Sequence, residues 1–178
     1  MARKYDIGEE MISQKQIFER AAEIGRTITD EFAGQEVVVI GILKGAVLWL
    51  SDLIKHIELD VHIDFMAVSS YGALTKSTGA VKILKDLDTS IEGKNVIIVE
   101  DIVDSGITLN YLKNYLLGMN PKVLKICTLL DKPAGRQIKM DADYIGFTVG
   151  DQFIVGYGLD YSEKYRNLPY ITCLTSGS

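Results

Sequence analysis

The sequence predicts an α/β fold in which a parallel central sheet is flanked by helices and a small hood subdomain is built from the terminal segments. Three observations carry this reading. The apolar runs at 37–43, 95–99 and 123–130 are rich in β-branched residues and do not alternate, as strands covered on both faces should read. Stretches with apolar residues at helical spacing separate them, which is the rhythm of a parallel sheet with crossover helices. Short strand-like segments at 144–149, 153–155 and 170–174 follow, and the terminal segments are read as a smaller flanking unit. The 178 residues are 47% hydrophobic and 24% charged with 3 prolines, a composition that fits one compact domain spanning 1–178, its core at about 37–150.

In chain order, Ser13 and Gln16 have capping-box spacing, and Ile17, Ala21, Ile24 and Ile28 then recur at helical intervals until Gly34 offers a left-handed stop. The strand at 37–43 ends in the turn Leu43-Lys44-Gly45. Over 46–57, Val47, Leu50, Leu53, Ile54 and Ile57 suit a second helix packed on the sheet. Residues 60–68 alternate, with Val61, Ile63, Phe65 and Ala67 on one face and His62, Asp64 and Met66 on the other. The segment 69–80 (SSYGALTKSTGA) is polar and glycine-punctuated and reads as a loop. A short strand is expected at 81–84, buried strands at 95–99 and 123–130, a helix at 109–117 ended by Gly118, and short strands at 144–149, 153–155 and 170–174. There is no internal repeat or low-complexity tract.

Composition narrows the function classes. A formal net charge of −5 has the wrong sign for gripping nucleic-acid phosphates. The longest apolar runs, 37–43 and 46–50, fall well short of the roughly 20 residues that span a bilayer, and the N-terminal segment lacks the apolar core of a signal peptide. The expectation is a cytoplasmic protein with neither nucleic-acid nor membrane partners. Cys127, Cys173, His56 and His62 form neither a disulfide framework nor a zinc pattern. With Trp49 they are assigned structural places, the cysteines as buried reduced thiols.

In open parallel sheets, ligands bind beyond the carboxyl ends of the strands. The most informative turn there is NVIIVEDIVDSGITL at 95–109. An apolar strand meets two adjacent acids, Glu100 and Asp101, and Asp104-Ser105-Gly106-Ile107-Thr108 then leads into a helix. A helix N-terminus offers free N–H groups and the positive dipole end, the hydroxyls add donors, and Gly106 lets the backbone close around an anion. This is a monophosphate cradle, and it is neither a Walker A loop nor a dinucleotide fingerprint. Acids beside a phosphate site repel the phosphate, so they must serve ribose hydroxyls, Mg²⁺ or a proton.

The string VIIVEDIVDSGITL resembles the 5-phosphoribosyl-1-pyrophosphate (PRPP) signature of type I phosphoribosyltransferases, and in its Val-Glu-Asp-Ile-Val-Asp-Ser-Gly form most resembles the hypoxanthine-guanine branch. Leu43-Lys44-Gly45, Ser70-Tyr71, Asp131-Lys132-Pro133 and the run FIVGYGLDY at 153–161, followed by Arg166, agree in order. The resemblance implies Mg²⁺-dependent transfer of phosphoribosyl from PRPP to N9 of hypoxanthine or guanine, with xanthine a third candidate base. The products would be a nucleoside 5′-monophosphate and pyrophosphate, and the assembly a homodimer or homotetramer.

Residue by residue, the resemblance makes Glu100 and Asp101 the acids that contact the ribose hydroxyls near Mg²⁺. Residues Asp104, Ser105, Gly106, Ile107 and Thr108 become the 5′-phosphate site, and Asp104 also the proton acceptor facing N7. Lys132 would donate to O6 of the purine, although a lysine in an Asp-x-Pro turn is by itself ordinary turn chemistry. Phe153 would stack on the base and Ile154 present its backbone to the base edge. Asp160 would help hold a second Mg²⁺, and Lys44, Gly45 and Arg166 would bind pyrophosphate. A non-proline cis peptide at Leu43–Lys44 and a lid at 69–80 carrying Ser70 and Tyr71 are also implied. A rival reading is a regulatory protein that keeps the fold and binds nucleotide and RNA without turnover. The acidic charge and the presence of Asp104, Lys132 and Asp160 weigh against it, and the Lys132 and Phe153 stretches weigh against an adenine- or pyrimidine-specific transferase.

Overall fold

A strand buried on both faces sends alternate side chains into two different cores, and the apolar runs do this. In the computed structural model, which describes residues 5–70 and 81–176, the chain runs β1 (Tyr5–Ile12), α1 (Gln14–Glu31), β2 (Val37–Leu43), α2 (Val47–Ile54), β3 (Val61–Ser70), β4 (Val81–Lys85), β5 (Asn95–Val103), α3 (Ile107–Leu117), β6 (Val123–Asp131), β7 (Tyr144–Thr148), β8 (Ile154–Val155) and β9 (Ile171–Ser176). Val37, Val39, Ile97, Val99, Cys127 and Leu129 pack with Ile17, Ala21, Ile24 and Ile28 of α1 and Trp49, Leu50 and Leu53 of α2. Val38, Ile40, Ile42, Val96, Ile98 and Ile126 pack on the opposite face with Leu109, Leu112 and Leu116 of α3. Among the described residues, the sheet thus carries α1 and α2 on one side and α3 on the other.

The main sheet has the order β4-β3-β2-β5-β6-β7. Strands β3, β2, β5, β6 and β7 are mutually parallel, and β4 returns antiparallel along the β3 edge. After β2 the chain builds outward through β3 and β4, then crosses back to lay β5 on the other side of β2. The carboxyl ends of β2 and β5 therefore flank a topological switch point, where a crevice is expected. The second sheet, β1-β9-β8, is antiparallel and joins the two terminal segments into the hood.

The capping box at the start of α1 is formed in both directions: the Gln16 N–H donates to Ser13 Oγ at 3.1 Å, and the Ser13 N–H donates to Gln16 Oε1 at 2.9 Å. Elsewhere the structure departs from the sequence reading. Residues 5–12 form a strand that the charged sequence YDIGEEMI does not announce, and its pairing with β9 carries two register shifts. β3 continues through Ser70, so residues 69 and 70 of the expected loop belong to a strand, and the rest of that expected loop, 71–80, lies outside the described residues. On β3 the apolar Ile63 is 47% exposed while Asp64 and Met66 are buried. Asp64 tolerates burial because its carboxylate accepts N–H bonds from Phe65, Asp88 and Thr89 at 2.7, 3.0 and 3.3 Å and faces Lys85 Nζ at 3.7 Å. Cys127 is buried as expected, whereas Cys173 is half-buried. Among the described residues no helix is long and apolar enough to cross a membrane.

Candidate active site

Three segments of the chain come into close contact at the switch point. A Cβ at Gly45, just past β2, would collide with the Asp101 carboxylate on β5, and a Cβ at Gly158 would collide with the Gly45 carbonyl. Gly158 also has φ +98°, so glycine is required there on two grounds. The Leu43–Lys44 peptide is cis. Lys44, Gly45, Asp101 and the 156–166 loop are thus fixed against one another.

Glu100 and Asp101 are not in a turn after the strand, because β5 runs on through Val103. Glu100 is buried, and burial, with the neighbouring Asp101 charge second, pushes its carboxyl well above the ordinary range. Asp101 is pushed up to about 6, again mainly by burial. The Ile102 N–H, donated to Asp101 Oδ1 at 2.7 Å, and the Arg166 charge pull it down, and Asp160 adds to the rise. Such crowded carboxylates are short of positive charge and of donors. Among the described residues no three acids, histidines or cysteines converge tightly enough to hold a metal by themselves. Hard oxygen donors of this kind fit a Mg²⁺ ion that takes its other ligands from water and substrate.

The next turn carries the phosphate-type loop. Gly106 (φ +80°) is the N-cap of α3, and the Ile107 N–H donates to Ser105 Oγ at 3.3 Å, which leaves the helix start open. A cavity of about 100 Å³ is bounded by Glu100, Asp104, Ser105, Gly106 and Thr108. Asp104 does not cap this helix. Its carboxylate lies against Gly135, where a Cβ would collide with it, and faces Lys132, with Nζ 4.0 Å from Oδ2.

Sequence reasoning missed Arg136. Its guanidinium donates to the backbone carbonyls of Asp104 (3.0 Å), Val103 (3.4 Å) and Met140, and pairs with Asp131 at the end of β6. The N–H groups of Gln137 and Ile138 donate to the Ser105 carbonyl at 2.9 and 3.1 Å. The segment after β6 therefore props up the loop after β5.

Lys132 is 14% exposed, holds Asp151 at 3.5 Å, and donates its backbone N–H to the Val103 carbonyl at 2.9 Å. Phe153 is not core: it is 53% exposed, with its ring edge-on to Tyr161 at 5.6 Å. Ile154 is buried in β8, so its side chain is not presented to a ligand. At the other end of the site, Arg166 donates to the Gly158 carbonyl at 2.7 Å and pairs with Asp160 at 2.9 Å and Glu163 at 3.1 Å. Glu163 also reaches Lys44 at 2.9 Å, and nothing in its sequence context marks it. The fold thus joins Asp104 to Lys132, and Lys44 and Gly45 to Asp101, Asp160 and Arg166. Tyr71 and the Ser70 side chain lie outside the described residues.

The sequence profile of the phosphoribosyl transferase domain family matches residues 9–162. The hypoxanthine-guanine phosphoribosyltransferase of Bacillus subtilis (strain 168) is 52% identical over 171 residues, covering 96% of this chain and 95% of that protein. The bifunctional protein TilS/HprT of Listeria monocytogenes serotype 4b is 50% identical over 169 residues, which are 95% of this chain and 26% of that longer protein. The crystal structure of a hypoxanthine-guanine phosphoribosyltransferase from Bacillus anthracis superposes with a TM-score of 0.91 at 52% identity, covering 96% of this chain and 100% of that one.

Proposed function

The chain belongs to the phosphoribosyl transferase family, and from that premise we propose that it is a purine-salvage enzyme, a hypoxanthine-guanine phosphoribosyltransferase that uses PRPP and Mg²⁺. Hypoxanthine and guanine are the bases, with xanthine a third candidate. The single observation that carries the reading is the Asp104–Lys132 pair at 4.0 Å, set beside the open N-terminus of α3 at the β2/β5 switch point.

A 5′-phosphate is received by the N–H and hydroxyl groups of Ser105, Gly106, Ile107 and Thr108. Glu100 and Asp101 accept from the ribose hydroxyls. Lys44, the backbone at Gly45 and Arg166 take the pyrophosphate, for which a cationic fork is suited. Lys132 donates to O6, and Phe153 covers the ring while the Ile154 backbone meets its edge. The C1–O bond breaks with its electron pair on pyrophosphate, N9 supplies the pair for the new bond to C1, and Asp104 accepts the proton the base gives up at N7. Glu100, Asp101 and Asp160 would hold Mg²⁺, which when bound supplies charge neutralisation for the departing pyrophosphate. Ser70 and Tyr71 close over that group and exclude water. The whole chain works as one catalytic domain, in the cytoplasm, as a homodimer or homotetramer.

The test is ultraviolet-monitored turnover with PRPP and Mg²⁺, offering hypoxanthine, guanine, xanthine and adenine separately beside a metal-free control. Turnover of 6-oxopurines and not of adenine is expected. Absence of turnover with every base, with nucleotide still bound, would replace this reading with a regulatory one.

A further inference from the structure

Resting on the transferase reading above, we propose that Glu163 is a built-in competitor of pyrophosphate, a carboxylate that takes the anion position on Lys44 and Arg166 and is displaced when pyrophosphate binds. One of its oxygens lies 2.9 Å from Lys44 Nζ, the other 3.1 Å from Arg166 Nη2. A single carboxylate thereby bridges the two cations assigned to the pyrophosphate, one from the end of β2 and one from the loop after β8.

The loop is built to present it. Ser162 (φ 51°) and Glu163 (φ 62°) are consecutive non-glycine residues in the left-handed region, a conformation that persists only where its surroundings enforce it. Asp160 does so: its Oδ2 accepts the Glu163 N–H at 2.8 Å, while its Oδ1 pairs with Arg166 Nη2 at 2.9 Å. The Arg166 fork is then largely committed. Nη1 is spent on the Gly158 carbonyl, no acceptor among the described residues reaches the buried Nε, and Nη2, which serves both acids, is the group Glu163 withholds from a ligand.

Exposure decides between a plug and an exchangeable competitor. The Lys44 and Glu163 side chains are 69% and 63% exposed, so their pairing is weak, screened by salt and open to a dissolved anion. A pyrophosphate with several charges outcompetes one carboxylate, and the carboxylate returns as pyrophosphate leaves. The effect is specific to that half of the site, because among the described residues no hydrogen bond or ion pair joins the 5′-phosphate loop at 105–108 to these groups.

Glu163→Gln and Glu163→Ala should each bind inorganic pyrophosphate with Mg²⁺ about three- to tenfold more tightly by calorimetry, with a lower KM for PRPP. Their affinity for nucleoside 5′-monophosphate should stay within about twofold of the unaltered protein, and the gain should shrink in high salt. Pyrophosphate affinity unchanged or weakened in both variants, with normal turnover, would overturn the competitor role and leave the transferase reading standing. Tighter pyrophosphate binding in a protein that turns over no base would uphold the competition and overturn the transferase reading instead.

Discussion

Lys132 Nζ stands 4.0 Å from Asp104 Oδ2, although the two residues sit beyond the ends of different strands, β6 and β5. The Lys132 N–H bond to the Val103 carbonyl at 2.9 Å sets that spacing through the backbone. A donor and an acceptor so placed can address O6 and N7, which lie on one edge of a 6-oxopurine.

The two partners should fail differently. Asp104→Asn keeps the shape and removes the proposed proton acceptor, so kcat should fall by roughly 10²- to 10⁴-fold, with nucleotide affinity changed only a few-fold. Lys132→Ala removes a donor and so should raise KM for hypoxanthine and guanine by about tenfold or more and narrow the gap to adenine. Wild-type turnover in the first variant, or an unchanged base preference in the second, would remove the corresponding role.

Gly135 tests the placement of Asp104 without altering any titratable group. A Cβ there would meet the Asp104 carboxylate, so Gly135→Ala must push that side chain aside. Displacements of about 1 Å near reacting atoms can cost on the order of 100-fold in rate. We expect kcat to drop at least tenfold while the melting temperature moves by only a few degrees. Full activity would mean that the Asp104 position is not critical.

What the sequence displayed, and what it hid, follows from where each residue finds its partners. β2 and β5 were legible because a strand covered on both faces must be apolar at every position, as Val37–Ile40 and Val96–Val99 are. The 100–108 loop was legible because its acids, hydroxyls and glycine are contiguous. β1 was not, since Tyr5–Ile12 is a strand only by virtue of β9, about 160 residues away, and its Glu9-Glu10 pair breaks the alternation. The burial of Asp64 was not legible because its N–H donors at 88 and 89 are invisible at the position itself. Arg136 and Glu163 were hidden for the same reason: one holds backbone carbonyls and the other a lysine 119 residues away.

Arg136 should matter for stability as well as for the loop. It and Asp131 are 17% and 16% exposed, and the fork reaches the Val103 and Asp104 carbonyls at the end of β5 and the Asp131 carboxylate at the end of β6. Arg136→Lys keeps the charge and loses the fork, which at about 1 kcal/mol per lost hydrogen bond should cost about 2 kcal/mol. At roughly 2–4 °C per kcal/mol for a chain of this size, the melting temperature should fall by about 4–8 °C. The phosphate loop rests on the same side chain, so KM for PRPP should rise too. An unchanged melt would show that the guanidinium contacts contribute nothing net.

The acids at the switch point make stability depend on pH in an unusual direction. An aspartate in an unfolded chain titrates near 3.9, whereas folded Asp101 is pushed up to about 6, chiefly by burial. Between those values the folded state holds the extra proton, so this group's contribution is fully present below about 4 and is lost as pH rises through about 6. Glu100, raised in the same sense by burial and by Asp101, acts in the same direction. Asp101→Asn cannot ionise and keeps an acceptor for the Ile102 N–H. Without added metal, its melting temperature should therefore exceed that of the unaltered protein at pH 7.5, and the difference should vanish by about pH 4. Comparing the two proteins at each pH cancels the titration of every other group. On the proposed reading, Mg²⁺ bound with PRPP would supply the missing positive charge to the unaltered site, so adding both at pH 7.5 should close the gap. A difference that is constant across pH, or of opposite sign, would mean that Asp101 is not held protonated by its surroundings.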